Sequence, residues 1–187
     1  MPRPRIYVIQ VTSGHEERTR QMLLRQLDDE VLTDCYTPAY ECVRKVAGEW
    51  QTVTRMLFPG YVFVETTNPA ELRDCLREIP AFTRFLGSSD ESFLALTDDE
   101  VAWLNAFTNG ETHVAEMSEG TIEGDNVLVT KGPLRGHEGQ IVKIDRHKRL
   151  AELEIRMFGR VKRVRIGLEV VRKRSGNTPQ YRRSSTE

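Results

Sequence analysis

The segment from Gly124 to Arg149, GDNVLVTKGPLRGHEGQIVKIDRHKR, restricts the fold of this chain more than any other stretch. Its β-branched runs are separated by Gly and Gly-Pro, a pattern that predicts short hairpins of a small β-barrel. Gly132, Gly136 and Gly139 are expected in tight turns at positive φ. The basic run Arg146–Arg149 falls where the chain should turn back. A tight basic loop of this kind suits a phosphate backbone.

Charge is distributed unevenly along the chain. Residues 1–115 hold 11 Lys/Arg and 18 Asp/Glu, a net charge of −7, whereas residues 116–187 hold 16 and 10, a net charge of +6. Opposite charges predict two modules with different partners, although surface charge can also drift by chance. The polar segment 109–121 predicts a linker, and the polar end 174–187 predicts a disordered tail.

Residues 1–108 predict an α+β domain with helices packed against a sheet. The opening strand, Ile6 to Val11, is apolar on both faces and is therefore expected to be covered on both sides. Ser13 and Glu16 have the spacing of a capping box at the start of a helix. The remaining predicted elements are a long hairpin around Ala47-Gly48-Glu49, a strand at 61–65, a helix from Asn68-Pro69, a short strand at 82–86, and a helix opened by a capping box at Thr97–Glu100.

Aromatic and aliphatic residues alternate in Tyr61-Val62-Phe63-Val64. In a strand, this places the two aromatic rings on one face and the two valines on the other. If the valines face the helices, the rings lie on the open face of the sheet and mark a partner site. Alternatively, both rings sit under a helix as ordinary core, and the alternation alone leaves both arrangements open.

Residues 122–173 predict the barrel itself, with a hairpin at 151–166 that turns at Phe158-Gly159. This register places Glu154 opposite Arg163 and Glu152 opposite Arg165, so both arginines are neutralised locally. A two-residue turn requires positive φ at its central residues, which disfavours a bulky residue such as Phe158 there. The basic residues left as candidates for nucleic acid, with a merely solvated basic loop as the alternative, are Lys131, Arg135, Arg146, His147, Lys148, Arg149, Arg160 and Lys162, together with Arg156.

Catalytic and metal-binding patterns are missing from the sequence. The four histidines do not pair with the three cysteines at metal-ligand spacing, and no phosphate-binding G-x-x-x-x-G-K-[ST] motif occurs. No apolar run approaches the roughly 20 residues of a membrane helix, and the N-terminus lacks the pattern of a secretion signal. Sparse cysteines without a CxxC pattern are typical of a reducing cytoplasm. We therefore expect a cytoplasmic monomer that is not an enzyme and uses no metal or cofactor.

Two sets of motifs resemble a known family. IYVIQVTSGHEE, LFPGYVFVE and IPAFTRFLG resemble the NusG N-terminal domain, and GDNVLVTKGPLRGHEGQIVKI with the later MFGR resembles a KOW domain. Together they cover about residues 5–173. The resemblance implies a NusG N-terminal α/β sandwich followed by a small SH3-like β-barrel KOW domain. The stretch IDRHKRLAELE is most similar to LoaP, a branch of specialised antiterminators in this family.

The resemblance also implies partners for the first domain. NusG-type N-terminal domains bind the clamp helices of the largest subunit of RNA polymerase through an apolar pocket. That implies roles for Phe58, Tyr61 and Phe63, with support from Phe82 and Phe85. The family lays this domain near the non-template DNA strand, which His15, Arg18 and Arg25 on the first helix could reach.

The resemblance leaves two functions for the KOW domain. In the LoaP branch it binds a structured RNA hairpin, and the basic run Arg146–Arg149 has the chemistry for that. In general NusG proteins it contacts Rho or a ribosomal protein, with the residue that matches Phe158 taking part. We predict an antiterminator that reads a nascent RNA hairpin, with a housekeeping NusG as the alternative. A ribosome-associated protein that shares only the KOW barrel is a third hypothesis, which the first module disfavours.

Overall fold

The computed structural model describes residues 3–78, 84–85, 95–123 and 126–171. Within these ranges the chain forms three α-helices, twelve strands and one short 3-10 helix at Glu138–Gln140. The helices are α1 (Glu16–Gln26), α2 (Pro69–Arg77) and α3 (Asp98–Phe107). The strands are β1 (Arg5–Gln10), β2 (Leu32–Tyr36), β3 (Ala39–Val46), β4 (Glu49–Met56), β5 (Tyr61–Thr66), β6 (Arg84–Phe85), β7 (Val114–Ala115), β8 (Ser118–Glu123), β9 (Asn126–Lys131), β10 (Ile141–Asp145), β11 (Leu150–Met157) and β12 (Arg160–Val171).

The first domain is built on a sheet with strand order β2-β5-β1-β6. One face of this sheet packs against α1 and α2, where Val62 and Val64 join Leu23, Leu72 and Leu76 in a buried cluster. The opposite face carries Tyr61 and Phe63 into a second cluster that also contains α3. The predicted alternation in this strand is therefore confirmed. The opening strand is covered on both faces, as expected of its continuous apolar run.

The predicted long hairpin is formed by β3 and β4, which pair antiparallel and turn at Ala47-Gly48. Both turn residues have positive φ, 50° and 93°. This pair is consistent with a tight two-residue turn that matches the twist of the strands. The parallel strand β7 extends this sheet from the other side of β3.

The second domain, residues 118–171, is a five-stranded sheet with order β10-β11-β12-β8-β9. The predicted hairpin register is confirmed, because Glu154 pairs with Arg163 and Glu152 with Arg165 across β11 and β12. Arg163 Nε lies 3.4 Å from a Glu154 oxygen, and Arg165 Nε lies 3.8 Å from a Glu152 oxygen. Phe158 occupies the turn at a φ of 59° despite its bulk.

Helix starts were predicted with mixed success. The capping box of Thr97 with Glu100 and the helix start at Asn68-Pro69 are both confirmed, and the Asn68 side chain also caps α2. The expected Ser13 cap is wrong, because His15 holds the cap position of α1 without a side-chain bond. Glu16 is instead buried, and its carboxylate accepts hydrogen bonds from Gly14 N and Gly60 N, both at 2.7 Å. The carboxylate therefore ties two turns together.

Two other expectations meet a different local structure. Gly139 lies in the 3-10 helix and is not at positive φ, whereas Gly132 and Gly136 are, as predicted. The segment 109–121 carries β7 and most of β8, which leaves Glu116 and Met117 between the strands of the two domains. The tail 174–187 lies outside the described residues. No helix among those described is long and apolar enough to cross a membrane.

Candidate functional site

We call Phe58, Tyr61 and Phe63 the aromatic surface. The turn Phe58-Pro59-Gly60 leads into β5 and presents these rings on the face opposite α1 and α2. Gly60 has a φ of 84°, and its amide donates to the buried Glu16 carboxylate. A side chain at this position would be strained by the backbone, which explains the glycine.

Phe158 of the second domain covers the aromatic surface. Its ring centroid lies 5.4 Å from that of Phe58, 5.0 Å from Tyr61 and 5.9 Å from Phe63. These separations and tilted angles are typical of favourable aromatic pairs. Phe63 is fully buried and Tyr61 is 8% exposed in this arrangement. The surface expected to be open is thus buried by the chain's own second domain as well as by α3.

Polar contacts surround the aromatic surface and Phe158. The Tyr61 hydroxyl accepts hydrogen bonds from Arg160 Nη2 at 2.8 Å and from Lys162 Nζ at 3.1 Å. On α3, Trp103 Nε1 donates to Gln140 Oε1 at 3.0 Å. The Glu100 carboxylate accepts from the amide of Gly159 in the Phe158 turn at 3.3 Å. We call this arrangement, in which the second domain covers the aromatic surface, the closed protein. It combines apolar burial with hydrogen bonds between the domains.

The β3–β4 hairpin makes a second contact with the second domain. The guanidinium of Arg149 lies 4.4 Å from the ring centroid of Trp50, a cation–π geometry. Gly167 of β12 lies against the Glu41 carbonyl, so that an added Cβ would overlap this carbonyl and the Met117 sulfur. The two domains are thus in contact at two separate places on the first domain.

The predicted basic turn is exposed at the end of β11 opposite to Phe158. Arg146 and His147 are exposed, and no ion pair involves either of them within the described part of the chain. Lys148 lies 3.4 Å from Asp145. The backbone N–H of Lys148 holds the pKa of Asp145 below its ordinary value, with further help from the Lys148 side chain. The aspartate thereby caps the turn and presents its cations outward.

The other predicted RNA-binding residues are distributed over the domain. Lys131 and Arg149 pair with Glu119 and Glu169, respectively, at 3.8 Å and 3.0 Å. Arg135 is exposed on the loop after β9. Arg160 and Lys162 face the first domain at the far end of β11. The structure therefore brings together only part of the predicted set.

The predicted DNA-contacting residues, His15, Arg18 and Arg25, are all exposed along α1. Of the supporting aromatics, Phe82 lies outside the described residues, and Phe85 is placed by its backbone in β6, opposite Ile9. Their predicted roles stay predictions. No group of three or more metal-ligating side chains occurs among the residues that the structure describes.

Sequence reasoning missed three residues that hold the domains together, namely Trp50, Trp103 and Gln140. Nothing local in the sequence marks them, because each acts across more than 35 positions of chain. Phe158 carried one signal, since a bulky residue at a turn that requires positive φ needs a compensating contact.

Comparison with known proteins supports this architecture. The family model described as transcription termination factor nusG matches residues 5–105, and the KOW motif model matches residues 123–164. The transcription termination/antitermination protein NusG of Vibrio cholerae is 29% identical over 178 residues, covering 92% of this chain and 97% of the relative. The protein of the same name from Rickettsia felis is 27% identical over 173 residues, covering 89% and 88%.

A solved structure titled "Domain interaction in Thermotoga maritima NusG" is similar to 88% of this chain and covers 93% of its own, with a TM-score of 0.47 and 20% identity. The family model of NusG spans more than half of the chain. With the sheet, helices and barrel in the order that the motifs predicted, the chain belongs to the NusG family.

Proposed function

We propose that this protein is a transcription elongation factor that binds RNA polymerase through the aromatic surface. The observation that supports the proposal most is that these rings form a face complementary to a separate domain. Phe158 inserts among them, so the face already accommodates an apolar partner side chain. The clamp helices of the polymerase would occupy the same face.

Binding of polymerase and domain closure exclude each other in this proposal. The partner helices can contact Tyr61 only after Phe158 and its neighbours have moved away. The factor then acts without chemistry, because it binds one state of the polymerase clamp better than another and shifts the populations. Closure reduces the apparent affinity for polymerase, because the intrinsic affinity is multiplied by the fraction of molecules that are open.

The KOW domain has two candidate partners. The relatives carry the name of general NusG proteins, which favours coupling to Rho or to a ribosomal protein. The exposed cations Arg146 and Lys148, with the exposed His147 between them, favour a nascent RNA hairpin, as in the LoaP branch. We propose the general NusG function first and RNA reading as the second candidate.

Core RNA polymerase capture tests the first part. Tyr61→Ala removes a ring of the aromatic surface and also weakens closure, so an opened protein that no longer binds polymerase is expected. Thr54→Ala, an exposed change on β4, serves as the matched control. Polymerase binding by Tyr61→Ala equal to that of the control would exclude the aromatic surface as the contact.

Binding assays with the full chain separate the two KOW partners. A structured RNA hairpin, purified Rho and a ribosomal protein are compared at one moderate salt concentration. RNA reading requires that Arg146→Gln with Lys148→Gln weakens RNA binding and lowers its salt dependence by about two phosphate contacts. If the wild type binds the hairpin no better than unstructured RNA, the second candidate is rejected.

A further inference from the structure

Two cations converge on one neutral oxygen at the domain interface. Arg160 Nη2 and Lys162 Nζ both donate to the hydroxyl of Tyr61, at 2.8 Å and 3.1 Å. Lys162 Nζ also lies 4.9 Å above the Tyr61 ring and 5.9 Å from that of Phe158. We call Arg160 and Lys162 the cation pair.

The cation pair has no ion-pair partner within the described residues, in contrast to other cations of the same domain. Carboxylates lie within ion-pair distance of Lys131, Lys148, Arg149, Arg163 and Arg165. The Glu100 carboxylate nearby is bonded by the backbone amides of Thr97 and Gly159. The two positive charges therefore share a single uncharged acceptor, and no carboxylate of the described residues lies within ion-pair distance of them.

A phosphate group is a better acceptor for this pair than a phenol. It offers several oxygens with negative charge, and charge-assisted hydrogen bonds are about twice as strong as neutral ones. An arginine fork beside a lysine point charge is common phosphate-binding chemistry. Arg160 is exposed in the closed protein, so an anion can reach it before the domains separate.

We propose that a nucleic-acid backbone competes with Tyr61 for the cation pair and thereby releases the KOW domain from the aromatic surface. The release has a transcriptional consequence only if the proposed function of that surface holds. A polynucleotide suits this role because the exposed cations of the basic turn lie at the other end of β11. Eight residues of strand separate the two ends by about 25 Å, a distance that a phosphate backbone spans with regular charge.

Thermodynamic linkage makes the proposal quantitative. If bound nucleic acid raises the equilibrium constant for opening by some factor, the open protein must bind nucleic acid more tightly than the closed protein by the same factor. A mutation that opens the protein must therefore tighten nucleic-acid binding. Phe158→Asn removes the covering ring and leaves both cations in place. This variant is therefore expected to bind nucleic acid more tightly than the wild type.

The test uses the isotope-labelled full chain and the amide NMR signals of β5, which lie in the first domain. An RNA stem-loop, a DNA duplex of the same sequence and poly-glutamate are titrated in separate arms. Movement of the β5 signals toward their positions in Phe158→Asn, with either nucleic acid, supports the proposal. Binding of both nucleic acids without such movement, or movement with poly-glutamate alone, overturns it.

The double variant Arg160→Gln, Lys162→Gln should lose the nucleic-acid-induced movement and should show a salt slope lower by about two contacts. The matched control is Arg163→Gln, Arg165→Gln, whose cations already pair with glutamates on the other face of the hairpin. An unchanged response in the cation-pair variant overturns the proposal. These measurements contain no polymerase, so failure of the proposed function shows separately, as polymerase binding that survives Tyr61→Ala.

Discussion

Replacing Phe158 by asparagine should open the protein and expose the aromatic surface. Phe158 is half-buried, and a phenylalanine side chain buries about 150–250 Å² when fully covered. If about 120 Å² is lost at roughly 25 cal/mol per Å², closure weakens by about 3 kcal/mol. That corresponds to a shift of about 150-fold toward the open state. Asparagine tolerates the left-handed backbone at this position, so the hairpin itself should persist.

Two measurements on the full chain check this change. Small-angle scattering should show a larger radius of gyration, and core RNA polymerase should bind more tightly, by a factor of up to about 100. The gain in affinity cannot exceed the reciprocal of the fraction of wild-type molecules that are open. Val161→Ala is the matched control, because this valine lies on the same hairpin and is 55% exposed. A variant that stays compact and binds polymerase like the control would refute the role assigned to the ring.

Four further expectations concern single sites. Gly167→Ala should open the protein without altering the aromatic surface, because its Cβ overlaps the first domain only in the closed form; scattering indistinguishable from wild type would contradict this. Glu16→Ala should lower the free energy of unfolding by about 3 kcal/mol, since two hydrogen bonds to a buried carboxylate are lost, and denaturant titration measures it. Cys35, whose pKa is raised by burial to about 12, should resist iodoacetamide at pH 8 until the chain unfolds, as mass spectrometry would show. The pKa of Asp145 is lower in the folded state than in the unfolded state, so its stabilisation of the basic turn is present above about pH 4 and is lost as the pH falls through the folded value; the Lys148 amide signal should follow this loss.

Local pattern was enough to predict much of each domain. Strand alternation separated Val62 and Val64 from the two rings of β5, and charge pairing predicted the register of β11 with β12. Both rest on neighbours that a strand places at fixed spacing. Capping predicted the start of α3 for the same reason, since all its partners lie within one helical turn.

Contacts between distant segments could not be predicted in this way. The polar composition around Ser118 indicated a linker, yet this segment pairs in parallel with the end of β12, some 50 positions later. Phe158 was disfavoured by its own turn, and its compensation comes from rings about 100 positions earlier. Such pairings depend on how the two domains meet, which no periodicity within either domain encodes.

The buried carboxylate of Glu16 has a consequence for the proposed binding of the first domain to polymerase. It belongs to the first turn of α1, which carries His15, Arg18 and Arg25, and it also holds the turn that carries Phe58. The helix predicted to meet DNA and the turn proposed to meet the polymerase are therefore joined by one buried hydrogen bond. When a partner binds the aromatic surface, the orientation of α1 relative to that partner is restricted as well. If the proposed polymerase contact and the predicted DNA contact both hold, this bond couples the path of a DNA strand to the position of the clamp.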